Sequence, residues 1–321
     1  MPVSVRFGAA HTRYRSQVGE FELAVPLLAG VSTEPLWPGV LEAEQEPDGT
    51  LFLHGVEGPW RCAVLSVPLA DSVADTAHAA YTRLLEAFGP ARGLRIWNFV
   101  PAINAERDGL ENYRAFCLGR HEAFLAHYGP GAERYFCAAS AVGTEEPRLC
   151  VIALGAELPV SQLENPFQCP AYAYPEQYGP RPPSFSRASV VTGAEPVLYI
   201  SGTSAVLGSA SIAPGELAGQ LATTGENLHR MLGQAERSLG AEAFARLRAP
   251  ECRVYLRRAE DTPAVLAWLE RQPWHDPARS RVVQADICRS ELLVEIELSW
   301  PSALVSANAA SEAHVHGCDP L

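Results

Sequence analysis

Residues 281–299, RVVQADICRSELLVEIELS, place Glu295, Glu297, a thiol and a polar turn inside an otherwise core-forming run. The second limb alternates, with Val294, Ile296 and Leu298 on one face and Glu295 and Glu297 on the other. The first limb ends at Cys288, and Arg289, Ser290 and Glu291 are polar enough to turn the chain, which predicts two antiparallel strands joined by a short loop. A carboxyl flanked by β-branched residues near a sheet interior loses water; its neutral form is favoured, and its pKa rises toward what a general acid needs. Glu295 is the first candidate for that acid. Glutamates lining a wet face of an antiparallel sheet alternate in the same way, so periodicity alone leaves both readings open.

The elements that must hold these residues follow from the rest of the chain. Residues 1–70 alternate short apolar runs (FELAVPLL, LFLHGV, CAVLSVPLA) with turn clusters, which predicts several antiparallel strands. DSVADTAHAAYTRLLEAF has helical spacing and stops at Gly89 and Pro90. LRIWNFVPAI reads as a strand, LENYRAFCLGRHEAFLAHYG as an amphipathic helix, and ERYFCAASAVG and RLCVIALGA as two strands joined by a turn. The second half repeats the order: a long helix in ELAGQLATTGENLHRMLGQAERSLG, a strand in CRVYLRR, a helix in TPAVLAWLERQ, and the two strands of 281–299. Each half is therefore expected to run sheet, helix, strand, helix, hairpin, the pattern of a duplicated α+β domain with little residue identity between copies.

The expected boundaries are an N-terminal domain at 1–160, a connection at 161–190, a C-terminal domain at 191–302 and a weakly structured tail at 303–321. The connection contains ENPFQCPAYAYPEQYGPRPPSFSR, dense in Pro and Tyr. A passive linker is one reading. Its Tyr172, Tyr174, Tyr178 and Phe185 are too aromatic for a solvated spacer, and they predict a segment packed across the mouth of a site.

A chain of 321 residues, 47% hydrophobic and 19% charged, can bury a sizeable core and suits two domains. No apolar run is long enough to span a bilayer, and MPVSVRFGAA lacks the features of a secretory signal, so a cytoplasmic protein without membrane partners is expected. Eight scattered cysteines without a CxxC pair suggest neither a disulfide framework nor a zinc site. His314, His316 and Cys318 lie close together in the tail, where a frayed terminus is the simpler reading than a metal site. The formal charge of -12 argues against nucleic acid. All 25 basic residues are arginine, and the absence of lysine excludes Schiff-base chemistry, pyridoxal phosphate and a phosphate-loop lysine. Neither GxGxxG nor GxSxG is present. In LYISGTSAVLG, Gly202 would let a ligand approach the main chain closely, or would serve a tight turn.

LYISGTSA, the long helix containing ENL, CRVYLRR and the terminal VEIE make residues 195–300 resemble a RidA/YjgF-type domain. LRIWNFVPAIN, YRAFCLGR, ENPFQCPAYAYPEQYGPRPPSFSRA, SGTSAVLG and the Cys288/Glu295 pair together make residues 90–300 resemble the chorismatases. The resemblance implies an α+β fold of two tandem RidA/YjgF-like (chorismate-mutase-like) halves. Each half has a mixed sheet with helices on one face, and the N-terminal half is degenerate. It also implies that chorismate is the substrate, that pyruvate is released, and that a glutamate matching Glu295 protonates the enolpyruvyl group. One branch of the family hydrolyses chorismate to a dihydrodiol. The branch that makes 3-hydroxybenzoate carries a cysteine seven positions before the glutamate, as Cys288 stands here, and a related bifunctional group also makes 4-hydroxybenzoate.

Arg120, Arg181 and Arg257 are the candidates for the substrate's carboxylates, with Arg258 able to replace Arg257, and Tyr172 and Tyr178 are candidate donors and ring walls. Since Arg120 belongs to the other half, a cleft between the halves is implied. Strict alternation puts positions 288 and 295 on different faces, so a turn or bulge must bring them together. No metal or organic cofactor is expected, and the assembly is a monomer or a trimer. The rival of another class is a non-catalytic RidA-like module binding an anionic metabolite. An imine deaminase is disfavoured by the extra N-terminal half and the tyrosine-rich segment.

Overall fold

The computed structural model describes residues 1–301, and the tail with His314, His316 and Cys318 lies outside the described residues. Five short strands open the chain: β1 (Val3–Phe7), β2 (Arg13–Arg15), β3 (Glu20–Leu23), β4 (Leu27–Gly30) and β5 (Thr33–Trp37). A meander follows, β6 (Glu42–Gln45), β7 (Leu51–Glu57) and β8 (Trp60–Pro68), which leads through helix α1 (Val73–Phe88) to β9 (Arg92–Pro101). After the small hairpin β10 (Glu106–Arg107) and β11 (Leu110–Glu111) come helix α2 (Asn112–Tyr128), β12 (Ala138–Thr144) and β13 (Arg148–Ala156). The second half runs β14 (Val160–Leu163), β15 (Ala188–Val191), β16 (Val197–Thr203), β17 (Val206–Leu207), β18 (Ala210–Ser211) and α3 (Leu217–Leu239). It continues with α4 (Ala241–Phe244), β19 (Glu251–Leu256), α5 (Thr262–Leu269), β20 (Ser280–Gln284) and β21 (Val294–Trp300).

The two large sheets have the same strand order, β12-β9-β13-β8-β7-β6 and β20-β19-β21-β16-β15-β14. In each, the strand after the first long helix lies at the centre of a trio, with one parallel and one antiparallel neighbour. The expected terminal hairpins are therefore corrected in both halves. β20 and β21 do not pair; they straddle β19, as β12 and β13 straddle β9. The reason is the helix between β9 and β12, and between β19 and β20: a helical crossover returns the chain parallel to the strand it left, and the last strand must then take the other flank. The α+β duplication holds, with mixed sheets and helices on one face of each.

The local signals are direct. Ser72 caps α1, its Oγ accepting from the Asp75 amide at 3.1 Å, and Val73, Ala77, Ala80, Tyr81, Leu84, Leu85 and Phe88 line the buried stripe. Where α2 crosses α1, a Cβ on Gly119 would lie 1.9 Å from the Ala74 carbonyl oxygen, so glycine sets the approach. Helices α1 and α2 pack on the outer face of the first sheet, and α3 on that of the second. The inner faces of both sheets meet in a shared core that includes Val64, Trp97, Phe99, Ile152, Tyr199 and Tyr255. Strand β4 pairs with β20, so residues 27–30 extend the second sheet and not the first.

Candidate active site

The alternation of β21 has the predicted effect. Val294, Ile296 and Leu298 join the core beneath α3, while Glu295 and Glu297 point between the sheets, where they are 4% and 1% exposed. That face is dry, which decides against the wet-face reading. Glu297 is fully engaged: Arg95 and Arg253 ion-pair with it, and Trp97 Nε1 (2.7 Å), Ser140 Oγ (2.5 Å) and Tyr255 OH (3.1 Å) donate to its oxygens. Arg253 pairs in turn with Glu34 of β5, and Glu34 with Arg281, so charges buried between the sheets are matched.

Among the described residues Glu295 has no arginine within ion-pairing distance. Ser204 Oγ approaches Oε2 at 3.4 Å while also donating to the Val294 carbonyl at 3.0 Å. Burial, together with the Glu297 carboxylate two residues along the same face, pushes the Glu295 carboxyl up to about 8. Two neighbouring carboxyl groups thus have opposite environments, the arrangement that separates an acid from a fixed anion. Gly202 makes room for it: a Cβ there would lie 1.8 Å from Glu295 Oε1 and 2.9 Å from Ser140 Oγ. The space beside Gly202, expected to admit a ligand, admits the Glu295 carboxyl. The Gly202 amide donates to Ser140 Oγ at 3.0 Å, which ties this corner to the Glu297 cluster.

Glu295 opens on a cavity of about 380 Å³ between the halves. Helix α2 supplies Tyr113, Phe116, Cys117 and Arg120; the Pro/Tyr segment supplies Tyr174, Tyr178, Phe185 and Arg187; and the stretch before β21 supplies Cys288, Arg289 and Leu292. The connection from β20 to β21 spans nine residues, 285–293, and passes the end of β19. That detour, and not a tight turn or a bulge, takes Cys288 to the cavity Glu295 faces. Burial and the nearby Glu295 push the Cys288 thiol up to about 12, so it is a neutral S–H at physiological pH.

Glu295, Cys288, Arg120, Tyr178 and Gly202 are brought together as expected; three other candidates are not. Tyr172 does not line the cavity, because its ring packs on Phe136 at 5.9 Å beside the outer-face helices. Arg181 is exposed on the proline-rich turn and lies outside the lining. Arg257 is also outside it, since its guanidinium is occupied by the 285–293 loop, with Nε donating to the Leu292 carbonyl at 2.8 Å.

Arg187 and Arg289 escaped the sequence reading. Arg187 is 7% exposed and donates to the Cys169 carbonyl (3.1 Å) and Tyr174 OH (2.7 Å). Arg289 lies over the Tyr178 ring at 4.2 Å and donates to the Ser209 carbonyl at 2.9 Å. The only available signal for either was an arginine among aromatic residues. Arg120, 2% exposed, sits over the rings of Tyr81 (5.0 Å) and Phe124 (5.8 Å), and its Nε and one Nη lack any acceptor. Among the described residues none of these three arginines has a carboxylate within ion-pairing distance. A buried guanidinium in that condition is costly by itself and suits an anionic ligand.

The chain matches the family model described as chorismatase FkbO/Hyg5-like, N-terminal, over residues 36–155. It is 34% identical over 292 residues to a 3-hydroxybenzoate synthase of Streptomyces hygroscopicus, covering 86% of this chain and 84% of that protein. It is also 34% identical over 247 residues to a chorismatase of Streptomyces rapamycinicus, covering 73% and 72%. A chorismatase crystal structure superposes with a TM-score of 0.75 at 26% identity, covering 93% of this chain and 92% of that one.

Proposed function

The chain belongs to the chorismatase family, and from that premise we propose that it cleaves the enolpyruvyl ether of chorismate, releasing pyruvate and forming 3-hydroxybenzoate, with Glu295 as the general acid. The observation that carries this reading is a carboxyl holding its proton to about pH 8, at the edge of a cavity lined by three arginines that lack carboxylate partners. Chorismate has two carboxylates and an electron-rich vinyl ether. Arginines hold the carboxylates, and the proton of Glu295 goes to the methylene carbon of the enolpyruvyl group. The ether oxygen then shares the positive charge as an oxocarbenium ion, and the C–O bond to the ring weakens. Glu297, ion-paired with Arg95 and Arg253, is held two residues along the same face from the acid.

The atoms of chorismate equal those of pyruvate plus a hydroxybenzoate, so the aromatic outcome consumes no water, whereas the dihydrodiol takes up one. Phe116, Phe185 and Leu292 give the cavity apolar walls, and the neutral Cys288 thiol stands beside the acid, which supports the aromatic outcome. Hydrolysis to the dihydrodiol is the second reading, since the same acid step opens both routes. Incubating purified protein with chorismate and resolving the products tests the proposal. Pyruvate with 3-hydroxybenzoate is the expected result, with any 4-hydroxybenzoate measuring the bifunctional route. Pyruvate with dihydrodiol alone overturns the product assignment, and no pyruvate overturns the reaction.

A further inference from the structure

The loop at residues 285–293 carries Cys288 and Arg289 to the cavity yet has no regular ladder of its own. Buried main-chain carbonyls need donors, and here one guanidinium serves three of them. Arg257, one residue past β19, donates from Nε to the Leu292 carbonyl (2.8 Å) and from Nη2 to the carbonyls of Ile287 and Arg289 (3.1 Å each). Nη2 also reaches Asn104 Oδ1 of the N-terminal half (3.1 Å), and Nη1 pairs with Asp286. A guanidinium has five N–H groups in a fixed fork, and these five acceptors all belong to the protein. All three of its nitrogens are engaged by groups of the protein, and the residue lies outside the cavity lining.

The loop is fastened on its other side too. The Gly143 amide donates to the Asp286 carbonyl at 2.7 Å, and Ile287 bridges to Val142 of β12. A Cβ on Gly143 would lie 2.8 Å from Asp286 Cβ, so only glycine permits this approach. Carbonyls on both sides of Cys288 thus converge on Arg257, and the N-terminal half is tied into the same knot through Asn104.

We propose that Arg257 is a positioning residue: it fixes the 285–293 loop so that Cys288 and Arg289 meet the substrate at set positions, and it thereby governs which product forms rather than how tightly substrate binds. The proposal rests on the reading of the cavity as the chorismate site. Lysine has three donors on a flexible stem and can hold at most part of the five-acceptor set.

The test compares Arg257→Gln, Arg257→Lys and Asn104→Ala with the unaltered protein by amide hydrogen exchange and by product analysis with chorismate. In Arg257→Gln, amides of 285–293 are expected to exchange at least about tenfold faster while those of β16 keep their rates. The 3-hydroxybenzoate share of the products is expected to fall at least about threefold, with KM changed by less than about threefold. Arg257→Lys falls between, and Asn104→Ala, which removes a single acceptor, moves the same amides less. A KM raised by about tenfold or more with unchanged exchange overturns the proposal in favour of direct substrate binding. Unchanged exchange with unchanged products overturns it as well. If the unaltered protein releases no pyruvate, the functional reading fails, while the exchange measurement still decides whether Arg257 holds the loop.

Discussion

Replacing Glu295 with glutamine keeps the shape of a neutral carboxylic acid and removes its proton. Two consequences have opposite signs. The folded protein holds the Glu295 proton to about pH 8, whereas the ordinary value is 4.5. Between those values the folded chain binds a proton that the unfolded chain has released, so the native state loses stability as pH rises through the window and no further above it. At about 1.4 kcal/mol for each pH unit, a side chain only 4% exposed makes this loss on the order of 5 kcal/mol across the window. The Glu295→Gln variant carries no such penalty, and the titrations of groups remote from residue 295 cancel in the comparison. Urea unfolding of both proteins in unit steps from about pH 5 to about pH 9 measures the gap. The variant is expected to gain steadily on the parent and then hold a constant lead, while its pyruvate release falls by on the order of a hundredfold or more. A stability gap that does not change with pH refutes the raised pKa, and retained turnover refutes the acid assignment.

Three further outcomes follow from the same geometry. For the unaltered enzyme, kcat is expected to fall as pH rises through about 8, where the acid loses its proton; a flat profile to about pH 10 would exclude Glu295 as the proton source. Gly202→Ala places a methyl 1.8 Å from Glu295 Oε1 and must push that carboxyl aside, so kcat should drop on the order of a hundredfold with KM little changed, measured by steady-state pyruvate release. Arg120→Met removes a buried guanidinium that lacks a carboxylate partner; its thermal midpoint should rise while KM for chorismate increases about tenfold or more, and an unchanged KM would remove Arg120 from the binding set.

Glu295 was legible in the sequence because a strand has a strict period of two, and the apolar partners Val294, Ile296 and Leu298 fix which face is buried. The pairing of that strand was not legible. Two apolar runs separated by Arg289, Ser290 and Glu291 look like a hairpin, and only the helical crossover reveals that β19 comes between them. Arg257 looked like a substrate ligand because arginine type is visible and its acceptors are not: four of the five belong to a loop about thirty residues downstream, and the fifth to the other half. Arg187 and Arg289 carry little signal of their own, because polar residues at the ends of loops usually face water. Arg95 was available as a signal. An arginine inside the apolar run LRIWNFV needs a buried carboxylate, and Glu297 was the acid left on the inward face of β21.

The pairing of β4 with β20 also bears on how the protein is made. Ala29 faces Val282 and Gly30 faces Arg281, so among the described strands β4 pairs with one made much later, in the second half of the chain. At roughly 5–20 residues per second, that partner arrives tens of seconds later. During that interval the first sheet can already form around α1 and α2, but the inward side chains Arg95 and Trp97 face water until β21 brings Glu297. The N-terminal repeat can therefore form before the second repeat closes over it, and the site between them needs residues from both.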